Sequence, residues 1–140
     1  MSQDSAEQNV FESSPLIKRY EGNPVLSPED LPYPSSQVFN AGVCKYQGKY
    51  VMVFRNDVGS SPDNPHVEKT NMGLAFSDDG KTWEVKPEPW MRWKTDEIKR
   101  VYDPRVTVVE GKCYLCFAVD THHGIRGGVA VTEDFEDYEV

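Results

Sequence analysis

The side chains whose types and spacing could do chemistry gather around one short stretch, Val101-Tyr102-Asp103-Pro104-Arg105-Val106. Asp103 is the lead candidate for a catalytic acid. Pro104 fixes its own φ and biases the preceding residue away from the helical region, so Asp103 is expected to be held extended, as suits a positioned acid. Asp-Pro pairs also start turns, and that plainer role could account for the pair by itself. An acid working near neutral pH is favoured by burial and opposed by a close arginine. Arg105 lies two residues on, on the same face of a strand, and is therefore expected to turn into a structural contact away from the carboxylate.

Further titratable groups lie in Asp120-Thr121-His122-His123-Gly124-Ile125-Arg126-Gly127-Gly128. Flexible glycines with charged residues read as a loop at a binding face, which makes Asp120, His123 and Arg126 secondary site candidates. Adjacent histidines rarely chelate one ion together and no carboxylate–histidine set accompanies them, so no metal is expected. Cys44, Cys113 and Cys116 fall within predicted strands and read as free thiols. The C-x-x-C spacing of the last two would set them on opposite faces of a strand, which disfavours a metal or redox pair.

These residues need a frame, and the chain supplies one by repeating itself. An offset of 63 lays Asn40-Ala41-Gly42-Val43 over Asp103-Pro104-Arg105-Val106 and Gly48-Lys49 over Gly111-Lys112. Both copies then enter an apolar run, Tyr50-Val51-Met52-Val53-Phe54 and Cys113-Tyr114-Leu115-Cys116-Phe117-Ala118-Val119, each read as a strand buried on both faces. An offset of 55 lays Gly73-Leu74-Ala75-Phe76-Ser77-Asp78-Asp79 over Gly128-Val129-Ala130-Val131-Thr132-Glu133-Asp134, and Trp83-Glu84-Val85 over Tyr138-Glu139-Val140. The predicted strands are 41–46, 49–55, 72–77 and 82–86, then 104–109, 112–119, 127–132 and 137–140. Four short antiparallel strands repeated are the anatomy of a β-propeller blade, so the fold class is all-β with two blades, about 37–86 and 102–140. Propellers close with about four to eight blades. The repeat therefore predicts the N-terminal part of a longer protein.

A net charge of −8 and a pI near 4.8 argue against nucleic acid or an anionic membrane as partner, since both demand a basic face. The N-terminus lacks the basic and apolar regions of a signal peptide, and a cytoplasmic protein is expected. Residues 1–14 are polar and acidic and read as a disordered arm. From Pro15 to Ser36, Pro24, Pro28, Pro32 and Pro34 exclude helix and suggest a strap laid across the first blade. Ser77-Asp78-Asp79-Gly80-Lys81-Thr82-Trp83 is a hairpin signature, so Asp78 and Asp79 are assigned to architecture. Trp90 and Trp93 could stack on a sugar, but packing between blades suits them better.

Taken in order, Arg19-Tyr20-Glu21-Gly22-Asn23-Pro24-Val25-Leu26, Phe39-Asn40-Ala41-Gly42-Val43, Val53-Phe54-Arg55-Asn56-Asp57, Tyr102-Asp103-Pro104-Arg105 and His123-Gly124-Ile125-Arg126-Gly127-Gly128 resemble glycoside hydrolase family 130, and within it the mannosyl-glucose phosphorylases. The resemblance implies a five-bladed β-propeller and inverting phosphorolysis of a β-1,4-mannosidic bond, giving α-mannose 1-phosphate and glucose. Inverting glycosidases use an acid and a base, whereas inorganic phosphate is already an anionic nucleophile, so one acid suffices. By the resemblance that acid is Asp103, relaying its proton through the mannose 3-hydroxyl, while Asn40 and Arg55 contact the sugar and Asn56 is a further candidate. It also implies no cofactor beyond phosphate as co-substrate, a β-mannoside disaccharide or oligosaccharide as partner, and phosphate-binding residues largely beyond Val140. The 140 residues alone are accordingly expected to be inactive. A homo-oligomer is compatible with this reading. Two alternatives stay open at this point: a β-mannoside hydrolase of the same family, and a non-catalytic carbohydrate-binding propeller module.

Overall fold

The computed structural model describes residues 16–140, so the arm expected over residues 1–14 lies outside the described residues. One sheet carries β1 (Gln37–Tyr46), β2 (Lys49–Val58), β3 (Lys69–Ser77) and β4 (Glu84–Val85) in chain order. The other carries β5 (Ile98–Val109), β6 (Lys112–Thr121) and β7 (Gly124–Thr132). All pairings are antiparallel. These are two consecutive blades of a β-propeller.

Three expectations change. The strand predicted at 137–140 is a single bridge in which Val131 and Glu139 exchange N–H···O bonds of 2.8 and 3.0 Å. The loop predicted from Asp120 to Gly128 is mostly strand. β6 and β7 run together as far as the Thr121–Gly124 pair, leaving only His122 and His123 to turn. Gly124, at φ +91°, allows so tight a return, and Thr121 Oγ1 donates to its carbonyl at 2.8 Å. Finally, the lead-in holds one turn of 3-10 helix, Pro28–Asp30, with proline at its first position, where the missing N–H costs nothing.

The two sheets share one core. Val51 and Val53 of β2 and Met72 and Leu74 of β3 cluster with Leu115, Phe117 and Val119 of β6, Ala130 of β7 and Phe135. Each valine, leucine, methionine or phenylalanine among them contributes about 1.5–3 kcal/mol when taken out of water. Trp90 and Trp93 seal this core: Trp90 packs on Phe135 and Tyr138, and Trp93 packs on Phe117 and donates Nε1–H to Tyr138 Oη at 2.7 Å. On the far side of the first blade, Leu26, Val25 and Leu31 of the lead-in cover Met52, Phe54 and Ala75. The predicted strap is therefore present, and β2 is buried on both faces.

β6 is not. Cys113, Leu115, Phe117 and Val119 are buried while Cys116 is exposed, because no described residues cover the face that in the first blade packs on the next sheet. The alternation also puts the two C-x-x-C thiols on opposite faces. The blades approach closely where β1 meets β5: a Cβ on Gly42 would stand 2.8 Å from Val106 N and 3.0 Å from Arg105 Cα. Any larger residue would push these strands apart.

Candidate active site

β1 and β5 carry the same irregularity at the same place. The β1–β2 register passes from Phe39–Arg55 to Gly42–Val53, so Asn40 and Ala41 oppose Phe54 alone. The β5–β6 register passes from Tyr102–Ala118 to Arg105–Cys116, so Asp103 and Pro104 oppose Phe117 alone. Each is a bulge with one extra residue, a device that re-aims a side chain. Its first residue is left-handed, with φ +49° at Asn40 and +55° at Asp103. Asp103 is thus not extended, as Pro104 suggested, but turned by the bulge. Both residues lie within their strands, three or more residues past the first. Asparagine and aspartate are the non-glycine residues that best tolerate this conformation, so the bulge explains the pair of residue types. Their chemistry differs: one is a fixed amide, the other an acid.

The bulges and the close approach at Gly42 bring the pair together. Asn40 Nδ2 donates to Asp103 Oδ1 at 2.8 Å, and Arg55 Nη1 donates to the same oxygen at 3.3 Å. The described contacts of the carboxyl thus fall on Oδ1, which leaves Oδ2 as the oxygen able to carry and deliver a proton. Arg55 is itself fixed on several sides. Its Nε and Nη2 donate to the two carboxylate oxygens of Asp57 at 3.0 and 2.8 Å, and Thr70 Oγ1 donates to Asp57 Oδ1 at 2.8 Å. Phe39 and Tyr102, the residues just before the two bulges, set their rings 4.6 and 5.0 Å from the guanidinium carbon. Burial acts to lower the Arg55 pKa, but the bonds and charges of Asp57 and Asp103 outweigh it, so the pKa lies above its ordinary value.

Arg105 turns away from the carboxylate, donating to the Pro104 carbonyl at 2.7 Å. Asp120 joins the edge of the cluster by accepting from Tyr102 Oη at 2.7 Å and from Arg100 Nε at 2.8 Å. The Tyr102 hydrogen bond, followed by the charge and hydrogen bond of Arg100, outweighs burial and lowers its pKa, so it acts as a fixed anion. Burial and the Asp120 contact push Tyr102 upward, keeping it a proton donor in that bond.

The structure does not bring the remaining candidates to Asp103. Asn56 is buried against the strap, where its Nδ2 reaches the Pro34 carbonyl and Asn71 Oδ1. Alternation along β2 aims it away from Arg55. His123 sits in the β6–β7 turn, its N–H on Thr121 Oγ1, and Arg126 donates to the Ile125 carbonyl; both are exposed. Among the described residues, no group of three or more His, Cys, Asp or Glu side chains is placed to hold a metal ion. Sequence reasoning missed Asp57, Thr70, Phe39 and Tyr102. Arg55-x-Asp57 carried a usable signal, since i and i+2 share a strand face; the ring positions needed the bulges to be known.

The chain has relatives among known proteins. A family model described as beta-1,4-mannooligosaccharide phosphorylase matches residues 8–140. The beta-1,4-mannooligosaccharide phosphorylase of Ruminococcus albus is 29% identical over 133 residues, covering 88% of this chain and 37% of its own. Among solved structures, the β-1,2-mannobiose phosphorylase of Listeria innocua superposes with a TM-score of 0.72 at 21% identity, covering 86% of this chain and 49% of that one. Another, reported as showing that the GH130 family of mannoside phosphorylases contains glycoside hydrolases that target β-1,2-mannosidic linkages in Candida mannan, has a TM-score of 0.65 at 21% identity, covering 86% and 39%. The chain thus spans less than half the length of these relatives, and the two structural likenesses speak for the fold alone. Matched from residue 8 to residue 140, the chain belongs to glycoside hydrolase family 130, the mannoside phosphorylases and hydrolases.

Proposed function

We propose that this chain forms the acid-bearing part of an inverting β-1,4-mannoside phosphorylase that converts mannosyl-glucose and phosphate to α-mannose 1-phosphate and glucose. The supporting observation is the convergence of Asn40, Arg55 and Asp103 from two blades, in a chain whose curated relative carries a β-1,4 activity. A phosphate oxygen attacks C1 of the mannosyl unit as the bond from C1 to the glucose O4 breaks. The electron pair stays on O4, which takes the proton held on Asp103 Oδ2, relayed through the mannose 3-hydroxyl. Asn40 and Arg55 hold the carboxyl by Oδ1 and present their remaining donors to the sugar. Phosphate is held by groups supplied from the rest of the propeller, and no cofactor takes part. Asp120, the next carboxylate in line, serves the site as an anion rather than as the acid.

The test is Asp103→Asn in the full-length protein, assayed on mannosyl-glucose with inorganic phosphate. This change keeps the shape and removes the proton; general acid catalysis is worth about 10²–10⁴-fold. We expect kcat to fall by at least the lower figure with little change in KM. Retention of most of the turnover would move the acid elsewhere. Release of free mannose at full rate without phosphate would make the enzyme a hydrolase, and mannoside binding with no turnover would make it a binding module.

A further inference from the structure

We propose that Asp57 is a positioning residue, which holds the Nε–Nη2 edge of the Arg55 guanidinium and so turns Arg55 to meet the acid it serves through one contact instead of a fork. The inference rests on the reading of Asp103 as proton donor. Arginine and carboxylate prefer a two-bond fork, and a guanidinium free to turn would offer such a fork to Asp103. That would favour the carboxylate anion at a position that has to carry a proton. Here the Nε–Nη2 edge is occupied by Asp57, and Asp103 is met from Nη1, by a single 3.3 Å contact rather than a fork.

Asp57 is itself locked. Its side chain is 1% exposed, and the Thr70 hydroxyl from β3 holds Oδ1 at 2.8 Å. The rings of Phe39 and Tyr102 fix the plane of the guanidinium, so the division of its donors between two carboxylates is built in from four strands and both blades. The groups facing Asp103 are the Asn40 amide from β1, Arg55 from β2 with Asp57 behind it, and Tyr102 on β5, with Asp120 and Arg100 beyond the phenol. Arg105 is spent on the Pro104 carbonyl. Among these described contacts, Arg55 is the cation bonded to Asp103, and Asp57 is the group that holds its other edge.

The experiment uses full-length protein carrying Asp57→Asn, Thr70→Val, Arg55→Lys, and Asp57→Asn combined with Arg55→Lys, on mannosyl-glucose with phosphate. Partners that orient a metal ligand are worth about 10–100-fold, and Asp57 orients Arg55 in a comparable way. For Asp57→Asn we expect a loss in that range, mostly in kcat, and an alkaline limb of the pH–rate profile moved to lower pH, because the released arginine holds Asp103 ionised. Thr70→Val, which removes a hydroxyl and no charge, should move the same limb the same way by less, and it remains informative if Asp57→Asn does not fold. In the Arg55→Lys background, Asp57→Asn should add little. If its full effect persists there, or if both variants lower the melting temperature while the pH–rate profile stays in place, Asp57 is merely structural and the proposal fails. If the wild type turns over no mannoside with or without phosphate, the functional reading falls. Asp57 is then judged by the Arg55 Nε–H resonance of ¹⁵N-arginine-labelled protein: slow solvent exchange lost in Thr70→Val supports the lock, and equally fast exchange in both overturns it.

Discussion

Between β3 and β4, Ser77 Oγ accepts the N–H groups of Asp79 and Gly80 at 3.2 and 2.8 Å, and Asp79 Oδ1 accepts those of Lys81 and Thr82 at 2.8 Å each. After β7, Thr132 Oγ1 accepts from Asp134 and Phe135 at 3.4 and 2.9 Å, and Asp134 Oδ1 from Glu136 and Asp137 at 2.9 and 3.2 Å. The turn is the same, but its left-handed position is Gly80 at φ +72° in one blade and Phe135 at +61° in the other. A left-handed phenylalanine costs roughly 1–2 kcal/mol. Its ring, 2% exposed, lies edge-on to Tyr46 and Phe76 and against Trp90. Burial returns about 1.5–3 kcal/mol and each aromatic pair about 0.5–1.5 kcal/mol. The packing wins, and what is a plain reversal in the first blade is an anchor onto its neighbour in the second. The faces tell the same story: Val53 of β2 is fully buried by the second blade, whereas its repeat counterpart Cys116 is exposed. A blade here is completed by what is laid over it, strap or sheet.

The bulges offer the hardest test of how alike the blades are. Exchanging the two residues, Asn40→Asp with Asp103→Asn, keeps one amide and one acid, each in a conformation it tolerates. The surroundings are unequal, because the counterpart of Arg55 in the second blade is Ala118. We expect the exchanged full-length protein to fold with a wild-type melting temperature and to stay slowed by at least about 10²-fold, like Asp103→Asn alone. Recovery of most of the mannoside turnover would show that the site reads only the presence of an acid and an amide, and the blades would be equivalent there.

The anchor comes next in size. Phe135→Ala should destabilise by about 3–5 kcal/mol, the usual cost of emptying a buried phenylalanine site. Gly80→Ala should cost only about 1–2 kcal/mol, that of a Cβ in left-handed backbone. Phe135→Gly sharpens the comparison. Glycine regains the left-handed backbone freely, so it should be more stable than Phe135→Ala, the reverse of their order in extended strand. Urea midpoints measure all three. If alanine proves better than glycine at position 135, the left-handed backbone there is not strained.

The same turn shows where the sequence was legible. Asp79-Gly80 announces a reversal because aspartate followed by glycine is the pair that a left-handed turn position selects, while Asp134-Phe135 hides one, since nothing local reveals that a buried ring supports the backbone. The long second strands were visible as apolar runs, but burial of β6 on one face depended on what lies above it. Asn40 and Asp103 could be paired by the repeat offset, yet the reason for the pairing, one extra residue in each edge strand, is a matter of register. The Asp120–Gly128 stretch misled because glycines that allow close strand approach look like glycines that loosen a loop. A Cβ on Gly128 would stand 2.3 Å from the Phe117 ring, just as one on Gly73 would stand 2.2 Å from the Phe54 ring.

The smallest expected difference between the blades is in acid. The N–H groups of Thr82 and Lys81 hold the Asp79 carboxyl down at about 2, and those of Glu136 and Asp137 lower Asp134 in the same way. A carboxyl whose folded pKa is depressed binds its proton more readily when unfolded. Its stabilisation is therefore fully present above the ordinary carboxylate value of about 4 and drains away as pH falls through the folded pKa. Both carboxyls lie at the surface, so solvent and salt weaken each contribution. Asp79 accepts two bonds of 2.8 Å where Asp134 accepts bonds of 2.9 and 3.2 Å, so the first blade's turn should be the more acid-sensitive. Melting temperatures of Asp79→Asn and Asp134→Asn, followed from pH 6 down to about pH 2, should both lie below wild type at the upper end and converge on it at the lower. The gap should be wider for Asp79→Asn. A wider gap for Asp134→Asn would mean that the turn anchored by Phe135 holds its aspartate more tightly despite the longer bonds, and that the anchor organises the turn as well as the interface between blades.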